Sequence, residues 1–275
     1  MKRLLPLALV VPVLAGCGGG GSSTFSVEPA AVYSLASFVP AKPVPAGRPI
    51  TVSFLIRQPN GKPLTKFKRG PGPHTGVHLI MVRDDLADIV HHHPPIRPGG
   101  KLVDSVTFPA PGPYRVVVDV YPASGPNFQL FRTLRVAGPY HPQPLPPPRT
   151  SDDIDGYHFT LSGASNLHAI EAKFVVVHVT TPSGKPAQFT PWYGALAHAI
   201  FFRRGSLDYF HTHVCSPNAT GCTSILGPAK VTGTSTTPGK LTVGVLVPAP
   251  GTWRLFLQCQ LSGHILTAPF TLHVT

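Results

Sequence analysis

Six of the fourteen histidines in this 275-residue chain recur at one spacing. His78 lies thirteen residues before His91, and His198 lies thirteen before His211. His93 and His213 each follow two positions later. Aligning 78–93 with 198–213 leaves six of sixteen positions identical: the three histidine pairs, Ile80/Ile200, Arg83/Arg203 and Asp88/Asp208. The middle histidine of "HHH", His92, answers to Thr212. Imidazole nitrogen suits Cu(II), Zn(II) and Ni(II), and Cu(II) binds most tightly of the divalent series. Three converging rings with an open position form a metal site. The spacing therefore predicts one three-histidine site per copy: His78, His91 and His93 in the first, His198, His211 and His213 in the second. Cu(II) is the expected ion, with Zn(II) next. Beyond Met1 the only methionine is Met81, which excludes a methionine-rich Cu(I) site. Asp88 and Asp208 are expected behind the ligands, as acceptors for a ring N–H. His74 and His264 lie near turns and are candidate extra ligands. Against this stands a plainer reading, in which the histidines are polar strand-end residues that serve the fold.

Strands must position these rings. "HLIMV" and "HAIFF" read as buried strands, and "DIVHHHP" and "DYFHTHV" as the next strand after a turn at "RDDLA" or "RRGSL". Residues i and i+2 of a strand share a face, with Cα atoms about 6.5–7 Å apart. His91 and His93 then point one way and His92 the other, and a hairpin brings His78 beside the pair.

The histidine stretches sit inside a longer repeat. "FLIRQPNGKP" precedes the first and "FVVVHVTTPSGKP" the second. "GKLVDSVTFPAPGPYRVVVDVYPASG" follows the first and "GKLTVGVLVPAPGTWRLFLQCQLSG" the second. "PAPG" recurs at 109–112 and 248–251. The β-branched and aromatic runs are short and bounded by Pro/Gly turns. They predict an all-β protein of two tandem immunoglobulin-like or cupredoxin-like β-sandwich domains, at 25–137 and 152–275. A proline-rich linker, 138–151, separates them. The second domain carries an insertion after its histidines that holds Cys215 and Cys222. These two are close in sequence and are expected to form a disulfide in an oxidising compartment. Cys259, in "WRLFLQCQL", reads as a packed thiol.

Compartment is read from the N-terminus. Lys2, Arg3 and the apolar run after them form a secretory signal peptide, 1–16. It ends in Leu14-Ala15-Gly16-Cys17, which resembles the lipobox of bacterial lipoproteins. The resemblance implies lipidation of Cys17, a Gly/Ser tether at 17–24, and an extracytoplasmic protein held at the cell envelope by its lipid. No later stretch of about 18 apolar residues follows. The formal charge of +12 is scattered and accompanied by no nucleic-acid motif, so nucleic acid is not expected as a partner. No Ser-His-Asp order, P-loop or dinucleotide fingerprint stands out, and an enzyme is not expected.

The pattern "HLIMVRDD…HHHP…GKL…FPAPGPYRVVVDV" resembles bacterial envelope domains of the YtkA-like kind. Those combine a strand histidine, a later His-x-His-Pro and a Pro-x-Pro-Gly turn. The resemblance covers most of both copies and is stronger in the first, since Val214-Cys215 replaces the proline in the second. It implies a sandwich fold and copper or heavy-metal handling through His78, His91, His93, His198, His211 and His213. The resulting expectation is a lipid-anchored metal-binding protein acting as chaperone, buffer or sensor, whose partners are the metal, the membrane and an envelope protein of unknown identity. The alternative is a structural or interaction surface protein of two sandwich domains with no metal.

Overall fold

Strands pair in a pattern that repeats between the two halves of the computed structural model, which describes residues 32–275 apart from 220–221, 223–224 and 227–228. Cys17 and the predicted signal peptide and tether lie outside the described residues. The first half contributes β1 (Ser34–Val39), β2 (Pro49–Arg57), β3 (Val77–Arg83), β4 (Ile89–His92), β5 (Leu102–Thr107), β6 (Gly112–Val120) and β7 (Phe128–Val136). They form a three-stranded sheet, β1-β2-β5, facing a four-stranded sheet, β4-β3-β6-β7. All these pairings are antiparallel. Seven strands divided in this way make an immunoglobulin-like sandwich. One turn of 3-10 helix, Pro98–Gly100, precedes β5.

The second half contributes β8 (Ser151–Ile154), β9 (Tyr157–Ser162), β10 (Lys173–Thr180), β11 (Phe189–Thr190), β12 (Ala197–Arg203), β13 (Tyr209–Cys215), β14 (Ile225–Leu226), β15 (Ala229–Lys230), β16 (Gly233–Thr234), β17 (Lys240–Val245), β18 (Gly251–Leu261) and β19 (His264–Val274). Here β8-β9-β10-β17 faces β13-β12-β18-β19, the plan of the first half with one strand, β8, added at an edge. The insertion changes one edge: β16 pairs with both β13 and β17 and so joins the two layers. Cys215 and Cys222 are disulfide-bonded within this insertion. Cys259 is a free buried thiol, and burial pushes its pKa up to about 12.

Both sandwiches use the repeated "PAPG" turn as a corner. The Tyr114 hydroxyl donates to the Ala110 carbonyl at 3.0 Å, and the Trp253 indole N–H donates to the Ala249 carbonyl at 3.0 Å. This is the tyrosine-corner arrangement of such sandwiches, with tryptophan in place of tyrosine in the second. The glycine closing each turn has φ near +130° (+134° at Gly112, +132° at Gly251), where a side chain would be strained. A Cβ on Gly112 would also meet the Tyr140 ring at 2.6 Å.

Every residue of β3 is buried, and β12 is buried except at Arg203. A strand at the surface of a lone sandwich would bury only one face. Here Val77, Leu79 and Met81 face the first core, while Ile80 and Val82 face Ile200, Phe202, Tyr209 and Phe256 of the other half. The equivalent outer sheets of the two sandwiches thus pack against each other. Full burial of such side chains contributes about 1.5–3 kcal/mol each. Residues 32–275 pack as one unit for this reason. No strand ladder joins the halves among the described residues. The proline-rich connection is held as well: the Gln143 N–H donates to Asp85 at 2.8 Å, and Leu145 packs on the inter-sandwich cluster. Among the described residues no helix is long and apolar enough to cross a membrane.

Candidate metal centre

The outer faces of β3 and β12 carry His78 and His198 beside the inter-sandwich apolar cluster. Strand parity puts them there, since they lie two positions before Ile80 and Ile200. In the hairpins, His91 is opposite Ile80 and His211 opposite Ile200, and His213 is opposite His198. His93 lies just beyond β4 and stacks on His78, ring centroids 4.0 Å apart. Both triads therefore aim into the same space between the sandwiches. Three groups have ligand nitrogens within 4.8 Å of one another: His78/His91/His93, His78/His211/His213 and His91/His198/His211. Two of the three draw on both halves. The first expected triad forms a group by itself, whereas the rings of the second group only with those of the first half, because the sheets that carry the triads are the sheets that pack together.

The hydrogen bonds fix which nitrogens are available. His78 donates its Nε2–H to the Pro73 carbonyl at 2.7 Å, and His198 donates its Nε2–H to the Trp192 carbonyl at 3.0 Å. Each keeps a lone pair on Nδ1. A carbonyl behind a ligating ring sets its tautomer in the same way in known metal sites. His91 donates Nδ1–H across the interface to Gln258 Oε1 at 3.1 Å, leaving its Nε2 lone pair free. Gln258 is oriented in turn by its own donation to Thr267, at 3.0 Å. His91 Nε2, His93 Nε2 and both ring nitrogens of His213 are buried without a hydrogen-bond partner. Buried polar atoms are seldom left so, and each costs on the order of 1–3 kcal/mol.

The rings are held neutral. Burial, the largest cause in every case, lowers the pKa of His78, His91, His93, His198, His211 and His213, and repulsion among the rings adds to it for most of them. His198 falls to about 4. Neutral imidazole is the form that can ligate a metal. The surroundings are aromatic: Tyr193 stacks on His93 at 3.9 Å, and Trp192 stands edge-on to His91 and His198. His74 stacks on Tyr121 and meets His213 edge-on at 4.7 Å.

Other predicted residues lie elsewhere. Asp88 pairs with Arg83 at 3.0 Å and Asp208 with Arg203 at 3.3 Å, so neither supports a histidine. They stand at the turn ends of their hairpins, three residues before the first strand histidine, about 10 Å along an extended chain. His264 is exposed at the tip of the β18–β19 hairpin and belongs to none of the groups. His92, on the other face of β4, pairs with Asp104 at 2.9 Å.

Spacing did not reveal Gln258, the Trp192-Tyr193 pair or Asp119. Asp119 lies opposite His78 in the β3–β6 ladder and accepts hydrogen bonds from Tyr121 at 3.1 Å and Tyr209 at 3.3 Å. Burial raises its carboxyl to about 6. The available signal was a lone acid inside the apolar run "VVVDVYP". A cavity of about 700 Å³ reaches from Lys68 and Asn127 past His74, Asp119 and Tyr209 to His211, giving the centre a way in from solvent.

Fold and site together define an all-β protein of two immunoglobulin-like sandwiches with a histidine cluster at their interface. A family model described as a domain of unknown function, DUF8832, matches residues 152–275. No curated protein matches. Among solved structures the chain is similar to FdeC, an adhesin of Escherichia coli, at 13% identity and TM-score 0.27, covering 90% of this chain and 65% of that one. It is similar to invasin, a bacterial integrin-binding protein, at 13% identity and TM-score 0.23, covering 87% of this chain and 38% of that one. A Salmonella alpha-2-macroglobulin matches at 13% identity and TM-score 0.28, covering 90% of this chain and 15% of that one. The chain thus spans less than two thirds of each of these proteins, and likeness at such scores carries nothing about what this chain binds.

Proposed function

We propose that this chain binds a divalent transition metal, Cu(II) before Zn(II), in one histidine centre between its two sandwiches, and serves as a carrier, buffer or sensor at the cell envelope. The observation that carries this reading is the set of buried ring nitrogens with no hydrogen-bond partner: His91 Nε2, His93 Nε2 and both nitrogens of His213. They sit on neutral rings whose neighbours are tautomer-fixed to offer lone pairs inward. Nitrogen-only donors of this kind suit Cu(II) and Zn(II). Lipidation of Cys17 would hold the protein at a membrane, and the YtkA-like motifs fit metal handling there.

Calorimetric titration of the untagged protein with Cu(II) and Zn(II) tests the proposal. Saturable binding at micromolar affinity or tighter, weakened in a His78→Ala variant, is the expected result. No saturable binding to either ion would overturn it.

One observation favours a second reading. The histidines border the apolar cluster of Ile80, Val82, Ile200, Phe202 and Phe256, and their rings stack across the interface. In that reading they fasten the sandwiches of a structural or interaction protein. The same substitution would then lower the melting temperature of metal-free protein and change no metal affinity.

A further inference from the structure

His211 occupies a position unlike that of the other rings. Its Nδ1 faces His78 Nδ1 at 3.2 Å, and its Nε2 faces His198 Nδ1 at 3.3 Å. His78 and His198 have both committed their N–H groups to backbone carbonyls, so each presents a lone pair to His211. A neutral imidazole has one N–H. It can donate to one neighbour only, and the other contact then sets two lone pairs against each other.

The three ligand groups carry the argument further. His78 offers only Nδ1, so the groups His78/His91/His93 and His78/His211/His213 compete for one nitrogen. His91 offers only Nε2, so His78/His91/His93 likewise competes with His91/His198/His211. The groups His78/His211/His213 and His91/His198/His211 share no ring but His211, which has a nitrogen on each side. These two alone can be filled together.

We infer that the centre is dinuclear, with the His211 ring bridging two divalent ions through Nδ1 and Nε2. One ion takes His78 Nδ1, His211 Nδ1 and His213. The other takes His91 Nε2, His198 Nδ1 and His211 Nε2. The first ion binds the lone pair of neutral His211. The second displaces the remaining ring proton, which leaves to solvent, and the imidazolate then binds both ions. No oxidant or reductant is involved. The cavity that reaches His211 gives the ions and the departing proton a route. This inference rests on the metal-binding reading above.

Stepwise addition of Cu(II) to the metal-free, untagged protein separates the outcomes, with native mass spectrometry counting bound ions and electron paramagnetic resonance counting uncoupled spins. Two ions per chain are expected, with the integrated spin signal falling, rather than doubling, as the second enters, because an imidazolate couples the two spins. A His211→Ala variant that keeps its thermal transition should lose that fall in signal. Two ions with a doubled signal, or one ion at saturation, would overturn the bridge and leave the metal-binding reading standing. No retained Cu(II) would overturn both. The wild-type spin count needs no variant, so the test holds even if His211→Ala fails to fold.

Discussion

The two histidine hairpins began as copies and ended with different dependences. In the first sandwich His78, His91 and His93 form a group by themselves. In the second, His198, His211 and His213 form none alone, and each joins rings of the first half. Their backbones are equivalent, since His91 and His211 face Ile80 and Ile200 across matching ladders. The divergence lies in what flanks them. His92 keeps a partner on its own sandwich, Asp104, whereas Thr212 donates to the carbonyl of Val231 at 2.9 Å, in the inserted segment. The insertion thus ties the second hairpin to its own core, while the inward-facing rings are left to the neighbour. A duplicated unit can keep its strand ladders and still share its histidine cluster with its neighbour.

Acid should break the comparison most severely. The six rings, four of them buried and His93 and His211 partly so, have folded pKa values below the unfolded value of about 6.5. Below that pH the unfolded chain binds more protons than the folded one. Their stability is therefore complete above about pH 6.5 and is lost as pH falls from there towards the folded values, near 4 for His198. Asp119, raised to about 6, acts in the opposite direction, but it is one group against six. Metal-free protein should unfold between about pH 6 and 4, in a single transition if the interface couples the halves. Two separate transitions in circular dichroism would speak for independent sandwiches.

A paired histidine variant comes next. His211→Ala with His213→Ala, which removes the ring common to both ions, should weaken metal binding at the whole centre by at least about a hundredfold, since removing even a supporting partner costs 10–100-fold. Independent sites would instead lose half the stoichiometry and keep the remaining affinity, which titration distinguishes directly. Gln258→Leu follows, with an expected loss of about 10–100-fold in metal affinity, because it frees the His91 tautomer without touching the metal. Gln258→Glu keeps an acceptor and should restore much of it. The smallest contrast is at the corners. Tyr114→Phe should cost about 1 kcal/mol from one hydrogen bond, and Trp253→Phe about 2–3 kcal/mol, because it adds a cavity in the core. Urea denaturation measures both.

Much of the strand pattern was legible because period and punctuation are local. The β-branched runs, the Pro/Gly turns and the matched "PAPG" corners mark strands without reference to anything distant. The pairing of Cys215 with Cys222 was legible for the same reason, being only seven residues apart. His264 misled because nearness to a turn says nothing about where the turn points. Asp88 and Asp208 misled because an arginine in the adjacent strand of the same hairpin claims each carboxylate before any ring can reach it.

By itself the sequence determined the repeat, the all-β class and the six rings whose spacing sets them on one face of each hairpin, since strand parity follows from covalent geometry. Only the tertiary structure decided that those two faces are one place. Continuous apolar runs at β3 and β12 indicate burial on both sides, but they do not say against what. That depended on shape and apolar area: the two outer sheets cover each other, and the packing brings His211 between His78 and His198 and places Gln258 behind His91 across the interface.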